Sequence, residues 1–134
     1  LNSQRTSPSQ LSRFTLKLEL VGLGNIAQAV VGKAQAFGIK TIAADPYAPD
    51  DLFTKMNTQK VELEELYEKS DYISVHAPLT PETQNMFSTE AFRKMKNDAL
   101  LINTSRGPLV DIDALVEALE KGDLKWDQKL HLIY

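Results

Sequence analysis

Short apolar runs alternating with stretches of helical periodicity predict an α/β protein with a doubly wound, mostly parallel sheet. Two observations carry this prediction. Strand-like runs lie at residues 14–21, 41–44, 72–75 and 99–102, with a helix-period or turn-rich segment after each. The first run, ending Leu18-Glu19-Leu20-Val21, passes through Gly22-Leu23-Gly24 directly into a helical pattern. Right-handed crossovers between parallel strands then bring every strand's C-terminal end to one edge of the sheet.

In chain order, residues 1–12 are polar and aperiodic and read as a flexible lead-in. Phe14, Leu16, Leu18 and Leu20 alternate as a strand that becomes continuously apolar at its end. Ile26, Ala29, Val30 and Phe37 share one face of the next helix, with Gly38 placed to stop it. Thr41–Ala44 is a second strand, closed by Asp45-Pro46 because proline cannot donate to a ladder. The stretch from Tyr47 to Lys60 is ambiguous, broken early by Pro49. Leu63, Leu66 and Tyr67 form the apolar side of a short helix with a glutamate-rich outer face. Tyr72–Val75 is a strand, and Ala77-Pro78-Leu79-Thr80-Pro81 a stiff loop after it. Ser88 caps a helix that Phe87 and Phe92 staple. Ala99–Ile102 is the next strand. Asp111 caps a final helix with Ile112, Leu115, Val116 and Leu119 on one face, ended by Gly122.

The bulk composition narrows the function. The 134 residues carry 43% apolar side chains, enough for one core, and a formal charge of −3 with scattered basic residues. A nucleic-acid partner therefore finds no electrostatic footprint. The chain has no cysteine, which excludes a disulfide framework and fits a reducing compartment. No apolar run reaches membrane-spanning length, and residues 1–10 are too polar for a signal sequence. A soluble, cytoplasmic single domain without a membrane or nucleic-acid partner is the expectation.

Four loops collect at the shared sheet edge, where open α/β sheets bind ligands. In Gly22-x-Gly24-x-x-Ala27, Gly22 suits a tight turn, Gly24 lets backbone approach a pyrophosphate, and Ala27 lets the helix pack closely. Free amides at that helix start favour a phosphate. Asp45 follows about twenty residues on, as expected of the residue that accepts hydrogen bonds from an adenosine ribose. Its charge would repel a 2′-phosphate by roughly 4 kcal/mol at 4 Å and an effective dielectric of 20, favouring NAD over NADP. A solvated Asp-Pro turn is the alternative. His76 is either a catalytic base or, more commonly at a strand end, a structural residue. Arg106, followed by Gly107 at the end of a buried strand, either holds a carboxylate through a bidentate fork or pairs with Asp111 or Asp113. No metal site is expected.

With these pieces assembled, the chain resembles the nucleotide-binding domain of the D-isomer-specific 2-hydroxyacid dehydrogenases. The resemblance rests on Val-Gly-Leu-Gly-Asn-Ile-Ala (21–27), Ala-Phe-Gly-Ile-Lys (36–40), Asp-Pro-Tyr (45–47), Ser-Asp-Tyr-Ile-Ser-Val-His-Ala-Pro-Leu-Thr-Pro-Glu-Thr (70–83), Ile-Asn-Thr-Ser-Arg-Gly-Pro-Leu-Val-Asp (102–111) and Ala-Leu-Glu-Lys-Gly-Asp-Leu (118–124). It implies a Rossmann-like domain over residues 13–124 and NAD-linked hydride transfer between a 2-hydroxy acid and its 2-keto acid. It further implies that Asn25 and Ile26 bind the pyrophosphate through their amides and Asp45 binds the ribose. Ala77, Pro78 and Thr83 would line the cofactor pocket, Thr104 and Ser105 would approach the nicotinamide, and Arg106 would hold the substrate carboxylate and act in catalysis.

Two departures accompany the match. The family commonly has Arg where Asn25 stands, removing a cation beside the pyrophosphate. The family's catalytic Glu and Pro-His pair are not found, residues 125–134 match nothing in its pattern, and no substrate-binding domain is present. The expectation is a domain truncated after the Arg-Gly strand and its following helix, nearly inactive alone. A homodimer is plausible by resemblance, and a non-catalytic NAD-binding or dimerisation module is the alternative reading.

Overall fold

The computed structural model describes residues 16–124 and 130–132. Six strands form one parallel sheet: β1 (Lys17–Val21), β2 (Lys40–Ala44), β3 (Gln59–Lys60), β4 (Tyr72–Val75), β5 (Leu100–Asn103) and β6 (Leu130–Leu132). Their order is β3-β2-β1-β4-β5-β6. The chain thus starts in the middle, winds outward to β3, then crosses back to build the other half. That reversal between β1 and β4 opens a crevice at the strands' C-terminal ends.

Helices α1 (Asn25–Ala36) and α2 (Asp50–Lys55) cover one face. Leu20, Leu23, Ala27, Val31, Ala43 and Phe53 pack together there. Helices α3 (Leu63–Lys69), α4 (Thr89–Lys94) and α5 (Ile112–Lys121) cover the other. That larger core holds Val21, Ile73, Val75 and Leu101 from the sheet beneath Tyr67, Phe87 and Phe92. Tyr67 and Phe87 meet edge-on with centroids 5.5 Å apart, and the Tyr67 hydroxyl donates to Met86 O at 2.7 Å. A buried phenol is thereby satisfied without breaking the apolar packing.

The caps follow the sequence closely. Ser88 Oγ accepts from Ala91 N at 3.5 Å and Asp111 Oδ1 from Ala114 N at 3.2 Å. Gly38, at φ +76°, closes α1: its N–H donates to Gln35 O, and Ile39 N–H reaches back to Ala34 O. This is the Schellman arrangement.

Three expectations change. The buried side of α1 is Ala27, Val31 and Ala34, whereas Ile26 is 73% exposed and Phe37 84% exposed. Small residues let the helix approach the sheet, and Phe37 lies beyond the last turn as its C-cap. In α5, Leu115 is buried as expected, together with Ala114 and Ala118, while Ile112 and Val116 are exposed. The sheet also extends one strand past the helix where the sequence reading ends it. Leu130–Leu132 pairs in parallel with Leu101–Asn103. Three residues are too few to register as a strand by periodicity, so only the ladder shows them. The ambiguous stretch 47–60 resolves into α2 and β3. The expected lead-in, residues 1–12, lies outside the described residues.

Candidate cofactor and substrate site

A cleft of about 930 Å³ lies at the C-terminal edge of the sheet. Gly22, Asp45, Ala77, Pro78 and Thr83, from three separate loops, all line it. The glycine turn is dictated by geometry. Gly22 has φ +95°, and a Cβ there would stand 2.9 Å from His76 O. Both the backbone conformation and the neighbouring strand therefore demand glycine. Gly24 differs: its φ is −78°, and beyond its chain neighbours a Cβ would meet no atom of the described residues within 4 Å. The space beside it is open.

Gly24 is the N-cap of α1, and no side chain caps that helix. The amides of Asn25, Ile26 and Ala27 therefore have no intrahelical acceptor and sit at the positive end of a 12-residue helix. Ala27 is fully buried against the sheet, whereas the Asn25 and Ile26 side chains are exposed.

Asp45 leaves the tip of β2 and is fastened on both oxygens. Its Oδ2 accepts from Leu23 N at 2.8 Å, inside the glycine turn, and Oδ1 accepts from Tyr47 N at 2.9 Å. Each carboxylate oxygen keeps lone pairs for further donors. The cleft wall also carries Glu62 and Glu82, and its single basic residue among those described, Lys60, is engaged by Asp50 at 2.7 Å. Three carboxylates, Asp45, Glu62 and Glu82, thus line the cleft.

The loop after β4 is stiffened by Thr83 more than by its prolines alone. Thr83 Oγ1 donates to Pro78 O at 2.6 Å and accepts from Thr80 N at 2.8 Å. Thr83 thus lines the cleft with its hydroxyl already spent inside the loop. His76 Nε2 lies 2.8 Å from Ser74 Oγ, and burial lowers the imidazole pKa below its ordinary 6.5. A ring held by a neighbouring hydroxyl fits the structural reading.

Thr104, Ser105 and Arg106 follow β5 beside this cleft but do not line it. Ser105 Oγ donates to Ala77 O at 2.8 Å, joining the two loops. Arg106 is exposed, and among the described residues its Nη1 donates only to Ser105 O, at 3.1 Å. Among the described residues it forms no ion pair with Asp111 or Asp113; Asp111 is occupied as the α5 cap. Its guanidinium is left available to an anion.

Sequence reasoning missed Asn103. This side chain is fully buried at the end of β5, with Nδ2 donating to Arg106 O at 2.8 Å and Oδ1 accepting from Ser105 N at 3.0 Å. The available signal was an asparagine two residues before a serine in a turn, the spacing of a side-chain-closed Asx turn.

Central strand reversal, a glycine turn under a helix start and an acidic residue at the β2 tip define a dinucleotide-binding domain of the Rossmann type. The chain belongs to the D-isomer-specific 2-hydroxyacid dehydrogenase family as its NAD-binding domain: residues 2–126 match the family model "D-isomer specific 2-hydroxyacid dehydrogenase, NAD binding domain". It is 40% identical over 109 residues to a D-3-phosphoglycerate dehydrogenase of Methanocaldococcus jannaschii, covering 81% of this chain and 21% of that protein. It is 43% identical to a glyoxylate reductase of Korarchaeum cryptofilum, covering 78% of this chain and 32% of the relative. Among solved structures, a Salmonella D-lactate dehydrogenase superposes with a TM-score of 0.77 at 36% identity, over 88% of this chain and 35% of that one. An NAD-complexed D-isomer-specific 2-hydroxyacid dehydrogenase from Lactobacillus delbrueckii ssp. bulgaricus also gives 0.77, at 32% identity, over 99% of this chain and 40% of that one. The chain therefore spans well under half the length of these relatives.

Proposed function

We propose that the cleft binds NAD(H) in preference to NADP(H), and that Arg106 receives the carboxylate of a small 2-hydroxy or 2-keto acid. The observation that carries the reading is the bond from Leu23 N to Asp45 Oδ2, which joins the glycine turn to the residue suited to the ribose. The amides of Asn25 and Ile26, beside the open space at Gly24, would hold the pyrophosphate. Asp45 would accept from the ribose hydroxyls, and its charge, in a cleft that Glu62 and Glu82 also line, disfavours a 2′-phosphate. Ala77, Pro78 and Thr83 form the wall of the cofactor cleft, with Thr104 and Ser105 on the nicotinamide side.

The reaction to which this site belongs is hydride transfer between the nicotinamide and C2 of the acid. The cofactor supplies the hydride chemistry. Arg106 holds the carboxylate and stabilises negative charge on the neighbouring oxygen. Residues 1–134 contain no Pro-His pair to exchange the proton. Lacking that group costs on the order of 10²–10⁴-fold in rate, so these residues alone turn over slowly or not at all. Homodimerisation and a cytoplasmic setting are the family-based expectations; among the described residues no helix is long and apolar enough to cross a membrane. Calorimetric titration with NADH and NADPH tests the proposal. Submillimolar NADH affinity with at least tenfold weaker NADPH supports it; binding of neither at millimolar concentration sinks it.

A further inference from the structure

The Asn103 side chain is the most deeply buried polar group near the site, with no exposed surface. It pairs with Val75 across the sheet and stands next to apolar Leu101, two residues earlier on the same strand. A valine or leucine would fill such a position without the cost of desolvating an amide. Each end of the amide nevertheless has a local partner. Oδ1 takes the Ser105 N–H and Nδ2 gives to Arg106 O, so one side chain spans the whole Thr104–Arg106 loop. The donor and acceptor partners differ, which fixes the amide's orientation. Arg106 O also accepts from Leu109 N at 3.2 Å, tying the same point to the 3-10 turn Gly107–Leu109. Ser105 Oγ, through Ala77 O, carries the constraint to the cleft wall.

Among the described residues the Arg106 guanidinium has no comparable anchor; its one hydrogen bond there is to the adjacent Ser105 carbonyl. Where that cation sits is therefore decided by the loop backbone, and the loop backbone by Asn103. We infer that Asn103 is a positioning residue, whose amide presets the Arg106 loop so that the guanidinium meets a substrate carboxylate without prior reordering. The inference rests on the proposal that Arg106 is the carboxylate site. Preorganisation of this kind raises affinity by removing an ordering cost and adds no contact with the ligand.

The test uses the full chain with Asn103→Asp, which keeps volume and acceptor but loses the donor, and Asn103→Ala as a second variant. Oxamate, a stable 2-keto acid mimic, is titrated into protein saturated with NADH, and NADH is titrated separately. The expected result is oxamate bound at least tenfold more weakly by Asn103→Asp, with the NADH dissociation constant changed less than threefold, and faster exchange of the Ser105 amide proton in Asn103→Ala, which also removes its acceptor. Equal losses for both ligands, unchanged oxamate binding, or failure of both variants to fold would overturn the positioning role. Failure of the unaltered chain to bind oxamate while it binds NADH instead removes the Arg106 reading, and this inference with it.

Discussion

The backbone N–H of Leu23 donates to Asp45 Oδ2 at 2.8 Å, so the glycine turn and the tip of β2 are one hydrogen-bonded unit. The bond orients the carboxylate before any ligand arrives and pins the turn that leads into α1. A change at Asp45 should therefore be felt at two places, the ribose and the turn.

Asp45→Ala is expected to weaken NADH binding by about 10- to 100-fold, since a hydrogen bond to a charged group contributes roughly 1.5–3 kcal/mol. NADPH should lose less or gain, because the charge opposing its 2′-phosphate is gone. Parallel calorimetric titrations measure the ratio. A ratio that does not move would remove Asp45 as the selector.

Gly22→Ala and Gly24→Ala should separate fold from binding. At Gly22 the substitution forces a Cβ to 2.9 Å from His76 O at φ +95°, with an expected loss of about 2–4 kcal/mol in urea denaturation. At Gly24 no protein atom opposes the methyl group. Stability should change by under about 0.5 kcal/mol, while NADH affinity falls. Equal effects on both quantities at both glycines would contradict this division.

Arg106→Met should leave the melting transition nearly unchanged, because the side chain is exposed and bonded only within its own loop. Binding of a 2-keto acid mimic in the presence of NADH should drop at least about tenfold, the loss of one charged hydrogen bond. Retained affinity would show that the carboxylate is held elsewhere.

Glu19 should make stability fall as pH rises. It sits on the central strand, only 4% exposed, between Ile42 and Ile73, and its Oε2 has no hydrogen-bond partner among the described residues. Burial, with some help from Asp71 and against the Tyr72 backbone and Lys17, holds its carboxyl up at about 7 from an ordinary 4.5. The folded state thus binds the proton more tightly than the unfolded state. Its contribution is fully present below about 4.5, declines as pH rises through about 7, and is flat above. The change is at most about 3 kcal/mol. Glu19→Gln should flatten the pH 5–8 dependence and stabilise the protein at pH 8. Denaturant titrations at both pH values decide it; an unaltered slope would place the dependence on another group.

Much of this was legible along the chain because it depends on residues close in sequence. Gly22 and Gly24 mark a strand-to-helix turn, Ser88 and Asp111 cap helices through bonds only three residues long, and the register of Asp45 with the turn points to NAD. Local hydrogen bonding and hydrophobic period encode such features directly. The faces of α1 and α5 were not legible. Period alone cannot say whether α1 turns bulky Ile26 or small Ala27 toward the sheet, or whether α5 buries Ala114 and Ala118 rather than Ile112 and Val116. Nor could β6 be read from three residues, since the ladder with Leu101–Asn103 is what makes them a strand. The bonds from Leu23 to Asp45 and from Ser105 to Ala77 join residues 22 and 28 positions apart. The amino-acid sequence by itself determined which loops carry the chemistry. Only the tertiary structure decided how they are tied together, with the Thr104–Arg106 loop bonded beside a cleft the others line, because hydrogen bonds between loops exist only once the parallel sheet has aligned its strand ends.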